Sequence, residues 1–277
     1  MKKILLPIDF SETSENVFVY ALEMAKLFRA RLVMLHTFDL PIVDSQSIPI
    51  NYSVIYESIE LANFEHFKQI MPKLHKIAEE RNLGAIAMNH ILMDGDLLIS
   101  IKKVIEQENI DFVVMGTKGA TTWLDSILGT NTGSVISNVS IPVLSVPFDS
   151  VYEKIETIAF TTRFRKKDIE SLVKLILFAK KIHAKVKCLY VKTSDSDVSE
   201  ETIKRWESHF EEEPDLQFFV IPSDDVKETI EDFIVTQDID ILSMLTYKRN
   251  FFVKLFTNTT TQELSYHLKT PILVFHE

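Results

Sequence analysis

Residues 3–38 align with residues 157–192 at a constant shift of 154, and residues 93–146 align with 222–275 at a shift of 129. In the first block Ile4 falls on Ile158, Phe10 on Phe164, Ala25-Lys26 on Ala179-Lys180, Ala30 on Ala184 and Leu35 on Leu189. In the second, Asp111 falls on Asp240, Met115 on Met244, Thr117 on Thr246, Thr130 on Thr259, Thr132 on Thr261 and Pro142 on Pro271. A repeat of this length dictates two related domains, each closing its own core. We place them at residues 1–149 and 150–277. The smaller second shift means about 25 residues fewer in copy two. The loop Asp39–Ser53 and the helix after it are the expected place of the difference.

The hydrophobic pattern of each copy alternates between periods of two and 3.6, reading β-α-β-α-β-α-β-α-β. Copy one predicts strands near 3–8, 31–37, 85–92, 111–116 and 142–146, and helices near 14–29, 55–81, 97–108 and 130–139. Val17, Ala21, Met24, Ala25 and Phe28 line one face of the first helix. Copy two predicts strands near 156–161, 185–191, 216–221, 240–245 and 271–275. Strands alternating with helices give an α/β fold, in each copy a five-stranded parallel sheet with helices on both faces.

Charge and composition exclude several roles. The net charge of −10 divides as −6 over residues 1–150 and −4 over 151–277, so neither copy is a basic nucleic-acid binder. No run approaches the roughly 20 apolar residues of a membrane span. The N-terminal run is broken by Pro7 and Asp9 and reads as a first strand rather than a leader. The only cysteine, Cys188, gives no disulfide framework and fits a reducing, cytoplasmic compartment.

Glycine use is the strongest functional signal. The chain has six glycines, and four of them lie in residues 116–133. Gly116-Thr117-Lys118-Gly119, nine residues, then Gly129-Thr130 form the pattern G-x-x-G-x9-G-[S/T] directly after the apolar run Phe112–Met115. A strand that opens into a glycine-rich loop and then a helix lets backbone N–H groups reach a phosphate. Glycine removes the Cβ that would block the approach, and Thr130 caps the following helix or donates to phosphate oxygens. In an open parallel sheet the ligand lies at the carboxyl ends of the strands. The loop after strand one, Pro7-Ile8-Asp9-Phe10-Ser11, ends at the same place.

These residues resemble the universal stress protein family in its tandem two-domain form. The Pro-x-Asp-x-Ser of residues 7–11, the strand end Leu35-His36, the turn Asp94-Gly95-Asp96 and the last strand Pro142-Val143-Leu144 carry the resemblance along with the glycine pattern. It implies two tandem Rossmann-like domains of the adenine nucleotide alpha hydrolase-like kind. It also implies ATP, or AMP or ADP, in copy one, with Mg²⁺ carried by the phosphates. Asp9 would accept a hydrogen bond from the adenine or ribose region, with Pro7 shaping its loop. Thr37 would lie beside the adenine, and Met115 and Gly116 near the ribose. Gly119, Gly129 and Thr130 would contact the phosphates, and Asn131 would add a donor. Last-strand pairing, by which family members dimerise, would here join Pro142–Val146 to Pro271–Phe275 within one chain as a pseudo-dimer; chains could also associate as homodimers.

Copy two departs from the pattern. Asp9 becomes Arg163, Pro7 becomes Thr161, Gly116 becomes Leu245, Gly119 becomes Lys248 and Gly129 becomes Asn258, while Thr130 persists as Thr259. It is therefore expected not to bind ATP in the same manner. The basic run Arg163, Arg165, Lys166, Lys167 opens a helix, where positive charge is unfavourable; it is a solvated face or an anion or partner site. Asp94 and Asp96 read as a turn and helix cap, His36 as a packed, hydrogen-bonded histidine, and Glu211–Glu213 as a solvated helix end. No nucleophile elbow, P-loop Gly-Lys-Ser/Thr or paired Cys/His site is present. The main reading is a stress-response nucleotide-binding module with an unknown protein partner. The rivals are a slow ATPase or adenylyl-transfer enzyme and a ligand-free interaction scaffold.

Overall fold

The computed structural model describes residues 2–9, 14–39, 52–117, 130–147, 149–246 and 269–276. The chain forms two compact units, Met1–Met115 and Gly116–Glu277. The first carries β1 (Lys3–Pro7), α1 (Ser14–Phe28), β2 (Arg31–Phe38), α2 (Tyr52–Glu80), β3 (Met88–Asp94), α3 (Leu97–Glu108) and β4 (Phe112–Gly116, whose last residue opens the second unit). Its strands run parallel in the order β3-β2-β1-β4. Ile4, Leu5 and Leu6 follow one another in β1 at no more than 1% exposure. Successive side chains point to opposite faces, so this strand is covered on both.

The second unit carries α4 (Thr130–Asn138), β5 (Val143–Val146), β6 (Thr157–Thr161), α5 (Lys166–Ile182), β7 (Lys185–Lys192), α6 (Glu200–His209), β8 (Leu216–Pro222), α7 (Val226–Thr236), β9 (Ile241–Thr246) and β10 (Ile272–His276). Its sheet order is β5-β10-β9-β6-β7-β8. The last five are parallel, as expected for copy two. β5 joins β10 antiparallel, with Ser145 opposite Ile272, Leu144 opposite Leu273 and Val143 opposite Val274. The expected pairing of the two last strands is therefore present. Among the described residues no helix is long and apolar enough to cross a membrane.

The duplication is recorded in the backbone as well as in the letters. Asp111 accepts from Lys3 N at 2.9 Å, and its repeat mate Asp240 accepts from Glu156 N at 2.7 Å and Thr157 N at 2.8 Å. Each carboxylate holds the start of its copy's first strand to the start of its fourth. The helices before the second and fourth strands of the two copies stop in the same way. Arg29 and His183 take φ +50° and +57°, and Asn109 and Asp238 take φ +51° and +49°. Each left-handed residue is followed by an amide that reaches back to the helix. The bonds are Ala30 N to Ala25 O (2.8 Å), Ala184 N to Ala179 O (3.0 Å), Ile110 N to Ile105 O (3.1 Å) and Ile239 N to Ile234 O (3.0 Å). Such bonds satisfy carbonyls that a helix end leaves open.

One difference from the sequence reading has a local cause. β3 begins at Met88 rather than near 85, because Leu83 N bonds Ala78 O and Ile86 N bonds Leu83 O in the turn that leaves α2. The β2 ladder therefore opens only with Leu32 N to Ala87 O. The length difference between copies lies partly where it was expected, in the helix after the second strand, which has 29 residues in α2 and 10 in α6.

Deleting the strand-start carboxylates tests this scheme. Asp240→Ala, which frees two amides, is expected to cost about 1–2 kcal/mol and Asp111→Ala about 1 kcal/mol, with urea midpoints as the measurement. Equal or absent losses would show that water replaces both.

Candidate functional site

In the first unit the residues singled out by sequence lie at the carboxyl ends of three adjacent parallel strands. Pro7 ends β1 in register with Leu35 of β2. Ile8 N then donates to Leu35 O at 2.9 Å, and His36 Nδ1 donates to Ile8 O at 2.9 Å. A carbonyl can only accept, so this nitrogen carries the proton. His36 is thus the hydrogen-bonded histidine expected, and it fixes the backbone just before Asp9, which is exposed. Thr37, the next residue of β2, is half-buried, and Met115 near the end of β4 is 3% exposed. Gly95 turns at φ +97°, and Asp96 Oδ1 accepts from Ile99 N at 2.9 Å as the cap of α3. The turn-and-cap reading of Asp94–Asp96 holds.

In the second unit Gly116 ends β4, and Thr117 N donates to Val146 O at 3.0 Å. Thr132 Oγ1 donates to Gly116 O at 3.1 Å, so the hydroxyl two residues into α4 grips the glycine where the loop begins. Thr130 starts the helix and Asn131 is exposed. Gly119, Gly129 and Lys118 lie outside the described residues. One residue that the sequence reading passed over stands out: Thr117 is 3% exposed, and among the described residues its hydroxyl has no hydrogen-bond partner. A buried hydroxyl left so is costly unless something meets it.

α4 has little reason of its own to be helical. Thr-Asn-Thr-Gly-Ser-Val-Ile-Ser-Asn contains only weak helix formers, and nine residues are too few to hold a helix in water. Its open carbonyls are met by other groups. Val139 N bonds Val135 O at 3.0 Å, Asn138 Nδ2 bonds Ser134 O at 2.8 Å, and His276 Nε2 bonds Ile136 O at 2.7 Å. Burial holds the His276 imidazole below the ordinary histidine range, partly offset by the Ile136 and Ile141 carbonyls.

In copy two the loop after its first strand, β6, is closed by an internal anion. Asp168 is fully buried and its Oδ2 accepts from Thr162 Oγ1 (2.9 Å), Arg163 N (2.8 Å) and Arg165 N (3.1 Å). The Arg163 and Arg165 amides, just before α5, thus already serve a carboxylate. That carboxylate also answers the electrostatic conflict of the basic run. An acidic residue three positions after the helix start was the available signal. Burial raises the Asp168 carboxyl above its usual range, and its three hydrogen bonds oppose the shift. Phe164, at φ +54°, turns its ring against Tyr190 and Trp206 at 5.1 and 5.0 Å. Leu245, where copy one has Gly116, is 4% exposed. Glu213 is not merely solvated: it pairs with Lys180 at 2.6 Å. Lys248, Arg249, Asn258 and Thr259 lie outside the described residues.

Two measurements follow. Asp168→Ala should lower stability by about 2–3 kcal/mol, because a buried hydroxyl and two amides lose a charged acceptor; a loss under half of that in chemical denaturation would mean solvent reaches the loop. For His276 the folded value is depressed below the ordinary 6.5. The stability it confers is therefore complete above that value and declines as pH falls through the folded one. His276→Gln should shrink the drop in urea midpoint between about pH 7.5 and about pH 5.5; an unchanged drop would assign the acid sensitivity elsewhere.

Comparison with known proteins agrees with this architecture. Two universal stress proteins of Methanocaldococcus jannaschii are 29% identical over 153 residues (52% of this chain, 94% of the relative) and 28% identical over 145 residues (52% and 81%). Over its whole length the fold is that of a universal stress protein from Archaeoglobus fulgidus, with TM-score 0.72 at 18% identity and coverage of 99% and 96% of the two chains. A structure from Pseudomonas aeruginosa matches at TM-score 0.62 and 13% identity, covering 100% and 93%. The model of the universal stress protein family matches residues 1–147. That match spans more than half of the sequence, and the chain belongs to the universal stress protein family.

Proposed function

We propose that copy one, residues 1–149, binds ATP, or AMP or ADP, and that copy two, residues 150–277, serves as its regulatory or interaction half. The observation that carries the reading is the G-x-x-G-x9-G-T loop between a buried parallel strand and a helix of low intrinsic stability. An anion at the start of α4 would meet its first amides and favour the helix electrostatically. The buried, partnerless Thr117 hydroxyl beside Gly116 supports a polar ligand at the same loop. Gly116, Gly119, Gly129, Thr130 and Asn131 are assigned to the ribose and phosphates, and Pro7, Asp9, Thr37 and Met115 to the base and ribose. Mg²⁺ would travel with the phosphates.

Nucleotide binding would act as a conformational signal, ordering one arrangement of the loop and so changing what a protein partner meets. Positioned water and charge stabilisation at the γ-phosphate are further requirements of hydrolysis, and turnover below about 1 s⁻¹ is expected. The buried, unpaired Cys188 fits action in the reducing cytoplasm.

Heat release followed by mass spectrometry tests the reading. The wild-type protein should release an adenine nucleotide, or gain about 3 kcal/mol of stability at a hundredfold excess of ATP over its Kd. Gly116→Leu, which copies the change already present in copy two, should do neither while keeping its fold. A wild-type protein that releases nothing and gains nothing from ATP would be a ligand-free scaffold. Turnover well above the stated rate would make it an enzyme.

A further inference from the structure

The antiparallel register of β10 on β5 has a geometric result that a parallel pairing would not give. Val274 lies opposite Val143, so the chain that continues past Val274 runs back toward the residues before β5. Those residues, Val139–Pro142, connect α4 to β5. His276, the last residue of β10, thus arrives beside the end of α4 and donates Nε2–H to Ile136 O at 2.7 Å. Ile136 is 1% exposed, and its carbonyl is among the last four of the helix, which have no partner within it. The repeat mate of His276 is Pro147, which has no donor. The contact therefore belongs to one copy only.

α4 is held at two points from outside itself. Near its start, Thr132 Oγ1 grips Gly116 O; near its end, His276 of copy two grips Ile136 O. One residue earlier, Thr246 Oγ1 donates to Phe275 O at 3.3 Å, fastening the end of β10 to the end of β9. Thr246 is the last residue of β9 and the repeat mate of Thr117. A set of bonds thus runs from the end of β9, through β10, to α4.

We propose that His276 is a positioning residue for the nucleotide loop of copy one, by which copy two sets the affinity of copy one for its ligand. The proposal rests on the nucleotide reading given above. The physical basis is preorganisation: a weak helix held in place before the ligand arrives leaves less ordering to be done on binding. Without the bond, α4 frays from its carboxyl end and its first amides lose their fixed direction.

The experiment measures ATP affinity by calorimetry, and amide exchange of residues 130–138, in the full chain. His276→Leu keeps bulk and removes the donor; it should weaken ATP binding about five- to tenfold and speed exchange in α4. His276→Gln retains an N–H donor and should restore affinity to within about twofold. Thr246→Val, which loosens β10 without touching α4, should give a smaller loss of the same kind and serves if His276→Leu fails to fold. Asp225 caps α7, accepting from Glu228 N, and Asp225→Ala is the control for general destabilisation; it should leave affinity unchanged. Unaltered affinity in both His276→Leu and Thr246→Val, or an equal loss in Asp225→Ala, overturns the proposal. If the wild-type protein binds no ATP, the nucleotide reading fails and the affinity claim with it; faster α4 exchange in His276→Leu would then still report the contact as structural.

Discussion

The contact on which most of the second unit depends is the three-residue antiparallel pairing of β5 with β10. β5 has four residues, all buried. Unpaired N–H and C=O groups along such a strand would invite another chain. Pairing β5 with β10 meets the groups along the facing sides of both strands within one molecule. It also fixes where each strand ends, and so which side chains meet α4. Two serines are buried on either side of β10: Ser145 of β5 and Ser243 of β9 are 1% and 0% exposed.

Much of the fold was legible because the signals were local and repeated. A strand such as Ile4-Leu5-Leu6 between charged residues and a proline has few alternatives, and its mate Ile158-Ala159-Phe160 says the same again. The repeated Asp111 and Asp240 could be seen as matched letters, but their role as strand-start acceptors depends on amides far away in sequence. Asp168 was missed for a related reason. A run of four basic residues drew attention to charge, while the residue that decides the loop is a single buried acid after them. Arg29 ending a helix in the left-handed region was invisible because arginine does not signal that conformation, whereas His183 carried only the mild preference of its residue type. The glycine pattern was legible as chemistry. Its partner Thr117 was not, because an orphaned hydroxyl is a property of burial.

The loops after the first strands of the two copies are built differently. After β6 the chain supplies its own carboxylate, Asp168, which accepts from Thr162, Arg163 and Arg165. The aligned position after β1 is Ser14, so copy one has no acid of that kind there. The segment after β4 leads instead to a helix of weak formers, held from outside by Thr132 and His276. The aromatic group of Phe164, Trp206 and Tyr190 packs beside the loop after β6.

The scarcity of glycine outside the loop has a consequence for how such a chain can change over generations. Arg29, Asn82, Asn109, Phe164, His183 and Asp238 all hold positive φ without being glycine, each at about 1 kcal/mol of local strain. Among the described residues Gly95 alone adopts a positive φ as glycine. Structural turns therefore do not depend on the residue type from which the loop pattern is built. Copy two carries Leu245, Lys248 and Asn258 at the positions of Gly116, Gly119 and Gly129 and still forms its parallel sheet. The glycines of the pattern can thus be exchanged over generations without loss of the fold.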